Sequence, residues 1–415
     1  MNTRLTGADG THVPPVPRIS LQAFCETPDL AATIESASSD RRMSKAHVKV
    51  HMGGAAAAIE AYRSASTPNV IVLEAGGDRD QLHEQLDELS EFCDHGTKVV
   101  VVGRANDIGL YRGLMARGVS DYLVVPLSVL DFIDAISRLY AAEGAEPLGR
   151  IIAFVGAKGG VGASCIAHNV AWSIARDLDL QTVLVDLDLA FGTVGLDFNQ
   201  DPPQGLGDAI FAPERLDANF VDRLLSKCAE KLSILAAPAT LDRPYDLSES
   251  IFDSVLDILR ASVPTVILDV PHAWTSWSRR VLVGADDVVV VATPDLACLR
   301  NTKTLLDTLR TARPNDGRPK LVMNGVGMLK RPEISIADFA KTVDVEPIVS
   351  VGFDAKLFGT AANNGQMLAE VDAASKAAEM VAEVARVVTG RGEVKRPKKT
   401  LFDPIMARLN RKKAS

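Results

Sequence analysis

No stretch of 18 or more apolar residues occurs in the chain, so no segment is expected to cross a membrane as a helix. Paired cysteines are missing too. The five present (Cys25, Cys93, Cys165, Cys228 and Cys298) stand singly, without C-x-x-C spacing. That argues against a disulfide framework and against a thiolate metal site, and it fits reduced thiols. Positive charge is in deficit. The 45 Lys and Arg face 53 Asp and Glu, a net −8, whereas a general nucleic-acid binder needs a basic surface. The opening residues lack an apolar signal core and are polar and Pro-containing, so residues 1–18 read as a disordered leader.

What is present is organised around residues 151–164, I-I-A-F-V-G-A-K-G-G-V-G-A-S. An apolar strand runs into a glycine loop, and a helix pattern with Ile166, Val170 and Ile174 on one face follows. Phosphate binding requires that order. Glycines let successive backbone N–H groups converge on one anion, and the helix N-terminus adds partial positive charge. The candidate nucleotide contacts are Gly156, Lys158, Gly159, Gly160, Val161, Gly162, Ala163, Ser164 and Cys165, with Ser164 also a candidate Mg²⁺ ligand. One position departs from the motif. Ala163 stands where a lysine would reach the β- and γ-phosphates.

At 415 residues the chain exceeds one ordinary core, and two domains with tails are expected. In residues 19–143, apolar runs at 19–24, 47–51, 70–73, 98–102 and 122–125 alternate with helical patterns at 55–62, 82–92, 108–115 and 130–140. This is the signature of a doubly wound α/β domain. Residues 144–150 form a Gly/Pro-containing joint. Residues 151–390 continue as a second α/β domain with a mostly parallel sheet. Its strand at 182–189 ends in Asp186 and Asp188. The strand T-V-I-L-D-V-P ends in Asp269, and K-L-V-M-N ends in Asn324. Carboxylates at the carboxyl edge of a sheet suit Mg²⁺, while a turn or cap role remains open for either Asp186 or Asp188 alone. His272 reads as a packed loop histidine. In residues 391–415 a basic linker precedes L-F-D-P-I-M-A-R-L-N-R-K-K, a short amphipathic pattern suited either to an anionic membrane surface or to solvent.

Two resemblances add to this. The first domain resembles a response-regulator receiver in which each chemical position is altered. Glu74 stands for the phosphoacceptor Asp, Cys25 and Glu26 replace the acidic pair, and Val125 replaces the Lys before Pro126. Either Glu74 mimics a phosphorylated Asp or, as we favour, the fold is an inert docking surface. The second domain, with K-G-G-V-G-A-S, D-L-D and V-I-L-D-V-P in order, resembles the MinD/ParA ATPases and their deviant Walker A loop. The two-domain order and the segments D-V-P-H-A-W-T-S-W-S-R-R-V-L and T-P-D-L-A-C-L-R-N-T-K are similar to the CpaE (TadZ) family of Tad-type pilus assembly proteins. The resemblance implies ATP and Mg²⁺ as cofactors, and a homodimer in which Lys158 reaches the partner's nucleotide. It implies that Asp188 orients the attacking water, that Asp186 and Asp269 serve the metal, and that Asn324 reads the adenine edge. With Ala163 in place of the motif lysine, hydrolysis is expected to be weak or absent. It further implies a cytosolic factor at the inner membrane whose partners are the pilus secretion ATPase and membrane platform proteins. A DNA-partition or other cargo-positioning ATPase is the alternative, opposed by the acidic balance. An iron-cluster enzyme like the nitrogenase iron protein would need the paired cysteines that are missing.

Overall fold

A computed structural model describes residues 13–76, 79–141, 148–241 and 245–391. The basic tail pattern and most of the leader lie outside them. Two sheets form. The first contains β1 (Ser20–Cys25), β2 (His47–Met52), β3 (Val70–Ala75), β4 (Lys98–Gly103) and β5 (Asp121–Val124), in the order β2-β1-β3-β4-β5. All its pairs are parallel. The runs read from the sequence are these strands, within a residue or two. One boundary differs. Val13 and Val16 are buried in the core of this domain, and the Val16 N–H donates to Arg42 O at 2.8 Å, so residues 13–18 pack rather than belong to a leader.

The second sheet contains β6 (Arg150–Gly156), β7 (Thr182–Asp186), β8 (Ser226–Ala229), β9 (Leu232–Leu235), β10 (Thr265–Val270), β11 (Asp287–Ala292), β12 (Lys320–Val326) and β13 (Pro347–Gly352). Its order is β13-β12-β11-β6-β10-β7-β9-β8, parallel except for the β8–β9 hairpin. Residues 151–156 and all of β10 are buried. Their Val- and Ile-rich runs follow from burial on both faces, as helices cover a parallel sheet above and below. The helices Ala163–Asp177 and Lys376–Val388 pack on each other along apolar faces. β6 sits centrally, so its carboxyl end opens at a crevice between crossovers, where open α/β sheets bind ligands.

The first domain docks at the other end. Its single helical turn Arg41–Met43 reaches the amino ends of β11 and β12. Arg41 donates to both oxygens of Asp316, at 2.7 and 3.0 Å, and to Gly284 O at 3.0 Å. Arg42 also pairs with Asp316, and Asn315 donates to Asp40 at 2.9 Å. Arg41, Arg42 and Asp316 are buried.

Candidate functional site

Phosphate-loop geometry begins where β6 ends. The Ala157 N–H donates to Val291 O at 2.8 Å, which keys the loop to β11. Gly160 and Gly162 take φ values of +80° and +83°, a conformation that L side chains rarely adopt. Gly162 is also crowded. A Cβ there would lie 2.5 Å from Asn324 Nδ2. The helix Ala163–Asp177 starts on Gly162 without a side-chain cap, so its first N–H groups remain available to an anion. Ala163, Ser164 and Cys165 lie half-buried at that start. Burial pushes the Cys165 thiol up to about 12, which disfavours the thiolate.

Asn324 lies against the loop. Its Nδ2 donates to Val161 O at 2.8 Å, and its buried Oδ1 has no partner. A buried acceptor without a donor is costly, and an amino group such as that of adenine would satisfy it. Together with the glycine cradle, this fits a nucleotide. Two further side chains brace the loop. Asn301 donates to Ala157 O at 2.9 Å, and His272 Nδ1 donates to Gly156 O at 2.8 Å. The expectation of a packed loop histidine at 272 thus acquires a definite task. Asn301 was not read from the sequence.

Lys158 is held within its own chain. Its Nζ donates to Asp295 Oδ2 at 2.9 Å, and Thr293 Oγ1 donates to the same oxygen at 2.6 Å. The Asp295 bond raises the lysine pKa above its ordinary value. Burial works against the Asp295 charge, but donors from Thr293, the Cys298 N–H and Lys158 hold its carboxyl well below the usual range.

Asp186 and Asp269 are register partners on β7 and β10. Both are buried. Burial, and then the neighbouring Asp269, push the Asp186 carboxyl up to about 7. Asp186 accepts from the N–H groups of Asp188 and Val194, both at 3.1 Å. Asp188 in turn accepts from the Phe191 N–H at 3.1 Å. Both carboxylates of the D-L-D segment therefore organise the loop that follows β7, the turn role left open by the sequence. Asp269 faces His168, which no sequence motif marked. His168 is fully buried, with Nε2 at 3.2 Å from Asp269 and Nδ1 at 2.6 Å from Asp197. Burial alone would lower its pKa, but the bonds to Asp197 and Asp269 outweigh that and hold it at about 10. No group of three or more metal-ligating side chains is preassembled among the described residues. Phosphate oxygens would have to complete any Mg²⁺ sphere, as is usual for this ion.

In the first domain, Glu74 is satisfied internally. It accepts from Glu26 N at 2.7 Å, Thr27 N at 2.8 Å and Thr27 Oγ1 at 2.7 Å. No described helix is long and apolar enough to cross a membrane.

Known proteins resemble parts of this chain. The AAA domain family model matches residues 149–322. An uncharacterized protein of Mycobacterium tuberculosis is 31% identical over 202 residues, 47% of this chain and 54% of that protein, so the chain spans about half the length of that curated relative. The crystal structure of the pilus assembly protein CpaE from Caulobacter crescentus is 48% identical, covers 32% of this chain and 100% of that one, and has a TM-score of 0.31. The septum site-determining protein MinD of Pyrococcus horikoshii, complexed with Mg-ADP, is 18% identical over 58% of this chain and 96% of its own, with a TM-score of 0.52. That last likeness shows the fold.

Proposed function

The chain belongs to the MinD/ParA family of P-loop ATPases in its CpaE pilus-assembly form, and from that premise we propose that it is an ATP-binding, dimerising assembly factor for a Tad-type pilus machine. Nucleotide and Mg²⁺ binding in general follow from the family. ATP, the dimer and slow turnover are our reading of the site. The observation that carries it is the carboxyl edge of the eight-stranded sheet. Phe191, Trp274, Leu296, Leu329 and Phe353 follow β7, β10, β11, β12 and β13, and all are exposed, from 46% for Phe353 to 89% for Leu329. They flank the phosphate loop. A line of large exposed apolar side chains at one edge suits burial against another surface, and a second copy presenting the same edge would bury both.

Within that reading, Lys158 is tethered to Asp295 in the single chain and would be handed to the partner's phosphates in the dimer. Ala163 leaves each loop without its own phosphate-directed cation. Losing one donor at a developing charge costs ~3 kcal/mol, or roughly 100-fold in rate. The nucleotide then acts as the stabiliser of an assembly state. Partners would be the pilus secretion ATPase and inner-membrane platform proteins, with residues 391–415 offering peripheral membrane contact and the first domain a docking surface.

Equilibrium binding of labelled ATP with Mg²⁺, alongside sedimentation with and without nucleotide, tests the reading. Wild type is expected to bind ATP and to shift toward a dimer. Lys158→Ala should weaken the ATP-dependent dimer with little change in monomer affinity, and Ala163→Lys should raise turnover. An ATP-indifferent dimer, or no binding at millimolar ATP, would overturn it. Co-purification from cells with and without Lys158→Ala identifies the pilus partner.

A further inference from the structure

His168 lies one helical turn beyond Ser164, on the buried face of the phosphate-loop helix. The positions around it, Ile166, Ala167, Val170 and Ala171, are core residues of the ordinary kind. A histidine there must have both ring nitrogens engaged, because a buried polar group without a partner is costly. Its partners are not arbitrary. Nε2 meets Asp269 Oδ2 at 3.2 Å, at the carboxyl end of β10. Nδ1 meets Asp197 Oδ2 at 2.6 Å, at the end of the short helix Val194–Asp197. The start of that helix is also held, since the Val194 N–H donates to Asp186 at 3.1 Å. Both ends of one four-residue turn are thus tied to the two carboxylates that β7 and β10 bring side by side. The Phe198 ring packs beside the imidazole, 6.2 Å between centroids.

We infer that His168 is a positioning residue: it fixes one oxygen of Asp269 so that the other is presented to the metal–nucleotide site, and it links Asp269 to the segment that carries Asp188. The inference rests on the nucleotide reading above. A carboxylate held by one oxygen has a set orientation, whereas an untethered one must be ordered when the metal arrives. Groups that orient metal-binding carboxylates are commonly worth on the order of 10–100-fold in metal affinity. The same bond makes the turn Val194–Asp197 responsive, because a shift of Asp269 is felt through the imidazole at Asp197.

Two amides separate the contacts. Glutamine places a donor near the position of Nε2, so His168→Gln keeps the Asp269 bond and gives up Asp197. Asparagine places a donor near Nδ1, so His168→Asn keeps Asp197 and gives up Asp269. The readout is the affinity for a methylanthraniloyl-ATP probe in Mg²⁺ divided by that in EDTA, measured on the full chain. We expect this ratio to fall on the order of 10–100-fold in His168→Asn and to stay near wild type in His168→Gln. A purely structural histidine would lower thermal stability in both and leave the ratio unchanged, which would overturn the inference. Wild-type hydrogen exchange gives a second, mutation-free measure. Amides 194–198 should exchange more slowly with Mg²⁺ and ATP than with ATP and EDTA, and equal exchange would also overturn it. Failure of wild type to bind the probe in either buffer would instead overturn the nucleotide reading itself.

Discussion

At the scale of single residues, most charged side chains of the site are spent on each other, while Asn324 keeps one buried atom unspent. Asn324 Oδ1 is the unspent acceptor. Removing its amide should cost about 1 kcal/mol, roughly a fivefold loss of ATP affinity, with a smaller effect on a triphosphate lacking the amino group. Equal losses for both ligands would show that Asn324 only braces the loop. His168 gives a pH signature. Its folded pKa, held at about 10 by Asp197 and Asp269 against the effect of burial, lies above the ordinary imidazole value. Its contribution to stability is therefore complete below about pH 6.5 and is lost as pH rises through about 10. The urea midpoint of wild type should fall more steeply between about pH 7 and about pH 10.5 than that of His168→Gln; parallel profiles would contradict this assignment.

At the scale of elements, the loop after β7 is built around a buried carboxylate. A Cβ on Gly192 would lie 2.2 Å from Asp186 Oδ2. Gly192→Ala must displace that carboxylate or the loop, at a cost of about 1–3 kcal/mol. A lower thermal midpoint checks it, and an unchanged one would mean that the loop yields freely. Elements also show what a sequence can and cannot convey. The phosphate loop, Asp186, Asp269 and Asn324 were legible because each follows a short apolar run, and glycine requirements are local. The strands of both sheets, apart from β8 and β9, were legible for the same reason. The helix Pro28–Ser38 was not, although Thr27 caps it and Pro28 opens it, because its alanine-rich body offers only Leu30 and Ile34 as a period. The β8–β9 hairpin is too short to show alternation. His168 sits inside an apolar helix face and is defined by partners 29 and 101 residues away. Nothing local marks it beyond two adjacent polar residues, His168 and Asn169, both buried where apolar ones are expected. Asp295, the partner of Lys158, is 137 residues distant and equally invisible to pattern.

At the scale of the whole molecule, the two domains are joined by charge. Arg41 grips Asp316 with two nitrogens, and the pair is buried with Arg42. Burial works against the Asp316 charge, but the bond from Arg41 and the surrounding arginines hold its carboxyl below the usual range. Breaking a buried pair from one side typically costs about 3–5 kcal/mol. Arg41→Ala should therefore lower the midpoint of urea unfolding substantially and separate the transitions of the two domains. A single transition at the wild-type midpoint would show that the junction contributes little. The position of this junction has a geometric consequence. It sits at the amino ends of the strands, and the helix Leu296–Ala312, roughly 25 Å long, separates it from the phosphate loop at the carboxyl ends. Two copies meeting loop to loop would carry their receiver-like domains outward, at opposite poles. Scattering from the ATP-bound particle should then show a rod rather than a sphere. A rod carrying the proposed docking surface at each pole would be bivalent, able to cross-link two separate partners, with an avidity that depends on the distance between them.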